Sequence, residues 1–66
     1  MARKKCNVLW QGYGYGGPNG YVYFEEDEVD IFNSDESFRI SLVEKYYPNY
    51  RGRVTNAYKH GSIENA

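Results

Sequence analysis

Nine consecutive residues, Gly12-Tyr13-Gly14-Tyr15-Gly16-Gly17-Pro18-Asn19-Gly20, hold five glycines, a proline and an asparagine. No regular element suits that composition, because glycine loses the most backbone freedom on ordering and proline lacks an amide donor. The stretch reads as a loop, and strand-like residues flank it. Before it, residues 4 to 11 alternate, with Cys6, Val8 and Trp10 on one face and Lys5, Asn7, Leu9 and Gln11 on the other. After it comes Tyr21-Val22-Tyr23-Phe24. The turn itself is expected at Pro18-Asn19-Gly20, where proline presets φ and Asn-Gly tolerates positive φ.

Strand-like residues return at Val29-Asp30-Ile31-Phe32, beyond Glu25-Glu26-Asp27-Glu28. Either one long or bulged strand spans the acids, or a second hairpin turns near Asp27. The long strand is preferred, since no glycine follows the acids to make a tight turn. Asn33-Ser34-Asp35-Glu36 then opens a helix, with Ser34 or Asn33 as cap and Asp35 and Glu36 on the positive end of its dipole. The helix is expected to end at Tyr46 or Tyr47, before Pro48. A last strand covers about Arg53 to Lys59. The fold class is therefore α+β in the order β-β-α-β, with one helix packed on one face of an antiparallel three-stranded sheet. Residues 1–66 form a single domain in this reading, with 1–3 and 61–66 as loose ends.

The helix has two apolar stripes side by side, Phe38-Leu42-Tyr46 and Ile40-Val43-Tyr47. Together they exceed the arc of roughly 100° that a sheet-packed helix uses. The excess is either covered by the loop or tail or left as a dimer or partner surface.

Sixty-six residues build one small core. Cys6 is the only cysteine, so no internal disulfide is available and a cytoplasmic location is expected, in the host cytoplasm if the source is viral. No apolar run approaches the roughly 20 residues of a membrane span. The basic start Arg3-Lys4-Lys5 precedes a stretch too short and polar for a signal peptide. A soluble, unprocessed protein without a membrane partner is the expectation. Eight tyrosines among 66 residues are more hydroxyls than so small a core can hide. Several must be exposed, decorating a sheet face or supplying contact area at a recognition surface.

Catalytic constellations are lacking. Cys6 lies on the inward face of the first strand and His60 near the chain end, with no carboxylate close in sequence to orient it. One cysteine and one histidine fall short of a zinc set. The acidic run lacks the ligand spacing and central glycine of an EF-hand. Gly12-x-Gly14-x-x-Gly17 matches the bare spacing of a dinucleotide loop, but a strand rather than a helix follows it. No catalytic residue, metal or cofactor is expected.

Charge is the most informative pattern. The formal net charge of −1 conceals seven acids and no base between Glu25 and Glu36, while the rest of the chain carries eight bases and two acids. Such a field steers association with a basic protein surface, of the kind found on proteins that handle nucleic acid. The expected function is non-enzymatic protein binding. Glu25, Glu26, Asp27, Glu28 and Asp30 would dock, and Tyr13, Tyr15, Tyr21 and Tyr23 would anchor. The bland alternative for the acids is that they keep the chain soluble and guard an exposed strand edge.

In size, element order and acidic segment, residues 4–60 resemble the small inhibitor modules carried by bacteriophages and mobile elements. The resemblance is one of class and assigns no residue a role. It implies that the chain blocks a nucleic-acid-processing host protein by binding it. A second reading is an RNA- or single-stranded-DNA-binding module using Lys4, Lys5, Arg51, Arg53 and Lys59, with tyrosines of the glycine loop stacking on bases. An isoelectric point near 5.7 weighs against it. A third is a homodimeric accessory subunit built on the surplus helix face.

Overall fold

Strand β1 (Arg3–Gly12) is the centre of the molecule in a computed structural model that describes residues 2–66. Strand β2 (Asn19–Glu25) pairs antiparallel with one edge of β1, in a register that sets Cys6 opposite Val22 and Lys4 opposite Phe24. The other edge of β1 is shared. Strand β3 (Val54–Lys59) lies along its second half, with Trp10 opposite Ala57, and the short β4 (Glu64–Asn65) lies along its first half. Between β2 and β3 come two helices, α1 (Val29–Ser34) and α2 (Glu36–Tyr46). The α+β class, with an antiparallel sheet, holds.

The alternation in β1 is borne out: Cys6, Val8 and Trp10 are all buried. They meet Val22 and Phe24 of β2, Ala57 of β3, Phe32 of α1, and Leu42 and Val43 of α2 in one core. Five tyrosines are half-buried around it. The Trp10 ring contacts Tyr47 at 4.8 Å and Tyr50 at 5.4 Å, Tyr15 meets Tyr50 at 4.8 Å, and Tyr23 meets Tyr46 at 5.5 Å. Both stripes of α2 are engaged, with Phe38, Ile40, Tyr46 and Tyr47 packed against the core beside Leu42 and Val43. Phe38, Ile40, Tyr46 and Tyr47 are half-buried, so the second stripe contributes to the core while keeping part of its surface open.

Four expectations are corrected. The long strand across the acidic run is not formed: Glu26–Glu28 is a 3₁₀ turn leading into α1. Val29 and Phe32, three residues apart, share the inward side of that helix, whereas strand periodicity would have paired Val29 with Ile31. Phe32 is buried and stacks on Phe24 at 4.3 Å, while Ile31 is 42% exposed. The Glu28 carboxylate accepts the Glu25 amide at 2.8 Å, and acids early in a helix suit its dipole.

The cap of α2 is Asp35, whose carboxylate accepts the Ser37 amide at 2.9 Å. Ser34 instead ends α1, its hydroxyl donating to the Asp30 carbonyl at 2.8 Å. The hairpin turn lies at Gly12–Tyr15, where Gly14 takes φ +84°. The ladder runs on to Pro18, whose carbonyl accepts the Trp10 amide at 3.0 Å, so Asn19 and Gly20 belong to β2. Among the described residues the ends are not loose. Arg3 is in β1, the Ala2 carbonyl accepts from Glu26, and Ala66 donates to Arg3, while Ile63 packs on the core. Met1 lies outside the described residues.

Arg39 ties the elements together and had no signature in the sequence. Its guanidinium donates to the Ala57 carbonyl on β3 at 2.8 Å and to the Phe32 carbonyl at the end of α1 at 2.6 Å. One turn earlier, Glu36 accepts the Ala57 amide at 3.2 Å, so α2 side chains occupy both backbone groups of Ala57. Arg39→Ala is expected to lower unfolding free energy by about 2–3 kcal/mol, because charged hydrogen bonds are lost and the carbonyls are left in a partly dry site. A shift in the urea midpoint at unchanged slope would report it.

Candidate functional site

Segment 25–36 folds so that its acids have unequal fates. Glu25 pairs with Arg3 at 3.5 Å, Glu28 caps the preceding turn, Asp35 caps α2, and Glu36 holds the β3 backbone. These four carboxylates are committed within the fold. Glu26, Asp27 and Asp30 have no side-chain partner among the described residues, and all three are exposed. They lie within the 3₁₀ turn and α1, where Asp27 and Asp30, three residues apart, are surface neighbours and the exposed Ile31 follows Asp30. Val29 and Phe32 point the other way and seat the segment on the core. An open depression of about 230 Å³ is lined by Ala2, Glu25, Glu26 and Asp27.

The acids and the tyrosines expected to work with them are only partly brought together. Glu25 pairs in register with Arg3 at the start of β1, which fixes the acidic turn at that end. Tyr13 and Tyr15 lie in the turn at the other end, a separation of roughly 30 Å along a ten-residue strand. The molecule measures 37 × 18 × 16 Å, so these are its two extremes. Tyr15 is also committed, donating its hydroxyl to the Arg53 carbonyl at 3.1 Å. Burial raises its pKa above the usual tyrosine value, and burial does the same for Tyr47. Tyr23 packs on Tyr46. Tyr21 is exposed on the sheet face away from the core, with the Lys5 ammonium 5.1 Å from its ring.

The basic residues divide as well. Lys4 donates to Asn65 at 2.6 Å, and Lys5 lies over Tyr21, both in the first half of β1. Lys59 is opposite Val8 at mid-strand. Arg51 and Arg53 flank Gly52 in the turn before β3, and Arg53 lies beside Tyr13 and Tyr15. The five therefore form no single patch.

Cys6 is fully buried, and burial pushes its thiol pKa up, away from a reactive thiolate. Its sulfur lies 3.5 Å from the Gly61 carbonyl, and His60 follows β3 with an exposed side chain. No group of three or more metal-ligating side chains occurs among the described residues, and no helix among them is long and apolar enough to cross a membrane.

Sequence reasoning found the acids but could not divide them. The division depends on capping and on the β3 edge, and only Asp35, just before an apolar periodic run, carried a local signal. Ile31 was not singled out as a surface residue, because reading 29–32 as a strand does not reveal the helical face it occupies. Comparison with models of known families, with curated proteins and with solved structures gives no match.

Proposed function

We propose that the chain is a non-enzymatic protein-binding module that docks its acidic turn on a basic surface of its partner. One observation carries this reading. Of the seven acids between Glu25 and Glu36, the three without a side-chain partner among the described residues, Glu26, Asp27 and Asp30, are all exposed on one short helical segment that also exposes Ile31. Negative charge around an exposed aliphatic side chain supplies steering and an apolar contact together. A basic surface of this type belongs to proteins that hold phosphates, so the partner class is a nucleic-acid-processing protein and the effect of binding is inhibition. Tyr13 and Tyr15 leave this interface in favour of Ile31, because they stand at the opposite end.

The test is capture from a nuclease-treated lysate, followed by kinetics with the purified partner. Changing Glu26, Asp27 and Asp30 together to lysine is expected to lower the association rate by about 10- to 1000-fold at low salt, with a smaller effect at high salt. The same variant should stay folded, since lysines near a helix start cost only about 0.3–1 kcal/mol each. An association rate unchanged by the reversal would eliminate acidic docking.

A further inference from the structure

The end of the molecule opposite the acidic turn has its own composition. It is built from two segments far apart in sequence, residues 12–18 and 48–55, and neither contains an acid. They are brought together because the Gly12 backbone approaches the Arg53 backbone so closely that a side chain at position 12 would strike it. Tyr15 locks the contact through its hydroxyl. At the surface this leaves the Tyr13 ring, 78% exposed, and the guanidinium of Arg53, which donates to the Tyr13 carbonyl at 3.5 Å and lies 5.6 Å from the Tyr15 ring centroid. Arg51 is exposed one residue before Gly52, which takes φ +77°. Neither arginine is in an ion pair among the described residues. The Glu44 carboxylate reaches this end and is occupied there, accepting the Gly52 amide at 2.9 Å.

From this placement we infer that the Tyr13/Arg51/Arg53 end is a binding site for single-stranded nucleic acid, separate from the acidic turn. The three residues supply complementary parts. Tyr13 offers an open ring face on which an unpaired base stacks, and stacking tolerates any base. Arg51 and Arg53 offer two planar guanidiniums to phosphates. Gly14, Gly16 and Gly52 present bare backbone, so a ribose-phosphate chain can come close. Nothing blocks the space above Gly16 or Gly52 within 4 Å. A duplex has no free base for Tyr13, so the ligand is a single strand. Lys4, Lys5 and Lys59 take no part, because they lie away from this end. The acidic turn, some 30 Å away, does not oppose the phosphates, since that distance exceeds the screening length of about 8 Å at physiological salt.

Fluorescein-labelled oligothymidylate and oligouridylate of about 12 nucleotides, within the site sizes of single-strand binders, would be titrated with the full chain by fluorescence anisotropy at several salt concentrations. Binding is expected with a slope of log K against log salt near about −1.4, the value for two phosphate contacts on a single strand. Tyr13→Ala should weaken it by about five- to a hundredfold, the range for one lost base stack. Arg51→Gln should halve the salt slope, and this exposed side chain has no packing role that could confound the result. Tyr58→Ala, at an exposed tyrosine on the sheet, should change nothing. Preference for oligouridylate assigns the site to RNA, and equal affinity assigns it to single strands of either sugar. Absence of binding at low salt, or binding indifferent to both Tyr13→Ala and Arg51→Gln, overturns the inference. So does a protein partner lost on Tyr13→Ala when neither oligonucleotide binds.

Discussion

Phe32→Ala should leave most of the chain unfolded at 25 °C. Truncating a buried phenylalanine costs about 3–5 kcal/mol, and a domain of this size rarely has more than about 3–5 kcal/mol in total. Phe32 is fully buried, and its ring is stacked nearly parallel to Phe24. It is also the only buried residue of α1, so its loss detaches the acidic turn from the sheet. The neighbouring substitution Ile31→Ala removes a side chain that is 42% exposed and should cost less than about 1 kcal/mol. Urea unfolding followed by circular dichroism and by the fluorescence of Trp10 measures both. Had the segment been a strand with Val29 and Ile31 inward, the order of the two effects would be reversed. The pair therefore tests the helix directly, and a partner that binds through the acidic turn should respond to Ile31→Ala while the fold does not.

Gly12→Ala is expected to be comparably damaging, though it adds only a methyl group. The added carbon would lie 2.8 Å from the Arg53 carbonyl carbon and closer still to the Arg53 carbonyl oxygen and the Tyr15 hydroxyl. Two of these three atoms are backbone, in a strand start held by the bulge against Gln11 and Gly12, so they cannot rotate away. Overpacking usually costs about 1–3 kcal/mol, and a backbone obstacle puts this site at the upper end or beyond. A second glycine of the same loop behaves oppositely. A methyl carbon on Gly16 would meet nothing within 4 Å, and its φ is not left-handed. Gly16→Ala should therefore be neutral or stabilise by up to about 1 kcal/mol through the unfolded chain. Thermal melts of the two variants, run beside wild type, separate the steric requirement at 12 from plain loop flexibility at 16.

Where one face of an element is dry, the sequence was readable. Cys6, Val8 and Trp10 alternate because β1 has a helix on one side only, and α2 stops before Pro48 because Tyr47 must leave helical geometry there, at φ −131° and ψ 72°. The acidic segment misled because Val29-Asp30-Ile31-Phe32 fits both a period of two and a spacing of three. Capping by Glu28 and the Phe24–Phe32 stack decide between them, and both are contacts that a one-dimensional pattern does not contain. The same holds for the candidate surfaces. A run of acids shows a field, but which carboxylates remain available follows from Arg3, Ser37 and Ala57 reaching back to the others. Tyr13 and Arg53 stand 40 residues apart in the chain, and a bare backbone crossing at Gly12 is what groups them.

The place of β1 at the centre of the sheet has a consequence for the order in which the molecule can acquire its shape. A ribosome delivers β1 first among the four strands and β3 and β4 last, at about 5–20 residues per second. For the seconds in between, β1 has β2 as its only available sheet partner, and an isolated two-stranded hairpin is marginal in water. The apolar side of that hairpin waits uncovered until α2 and β3 emerge, and β3 brings with it the Ala57 backbone that Glu36 and Arg39 secure. Folding is accordingly a late, concerted event for this chain, and a nascent segment that stops before Val54 presents Trp10 and Val22 to chaperones rather than a stable domain.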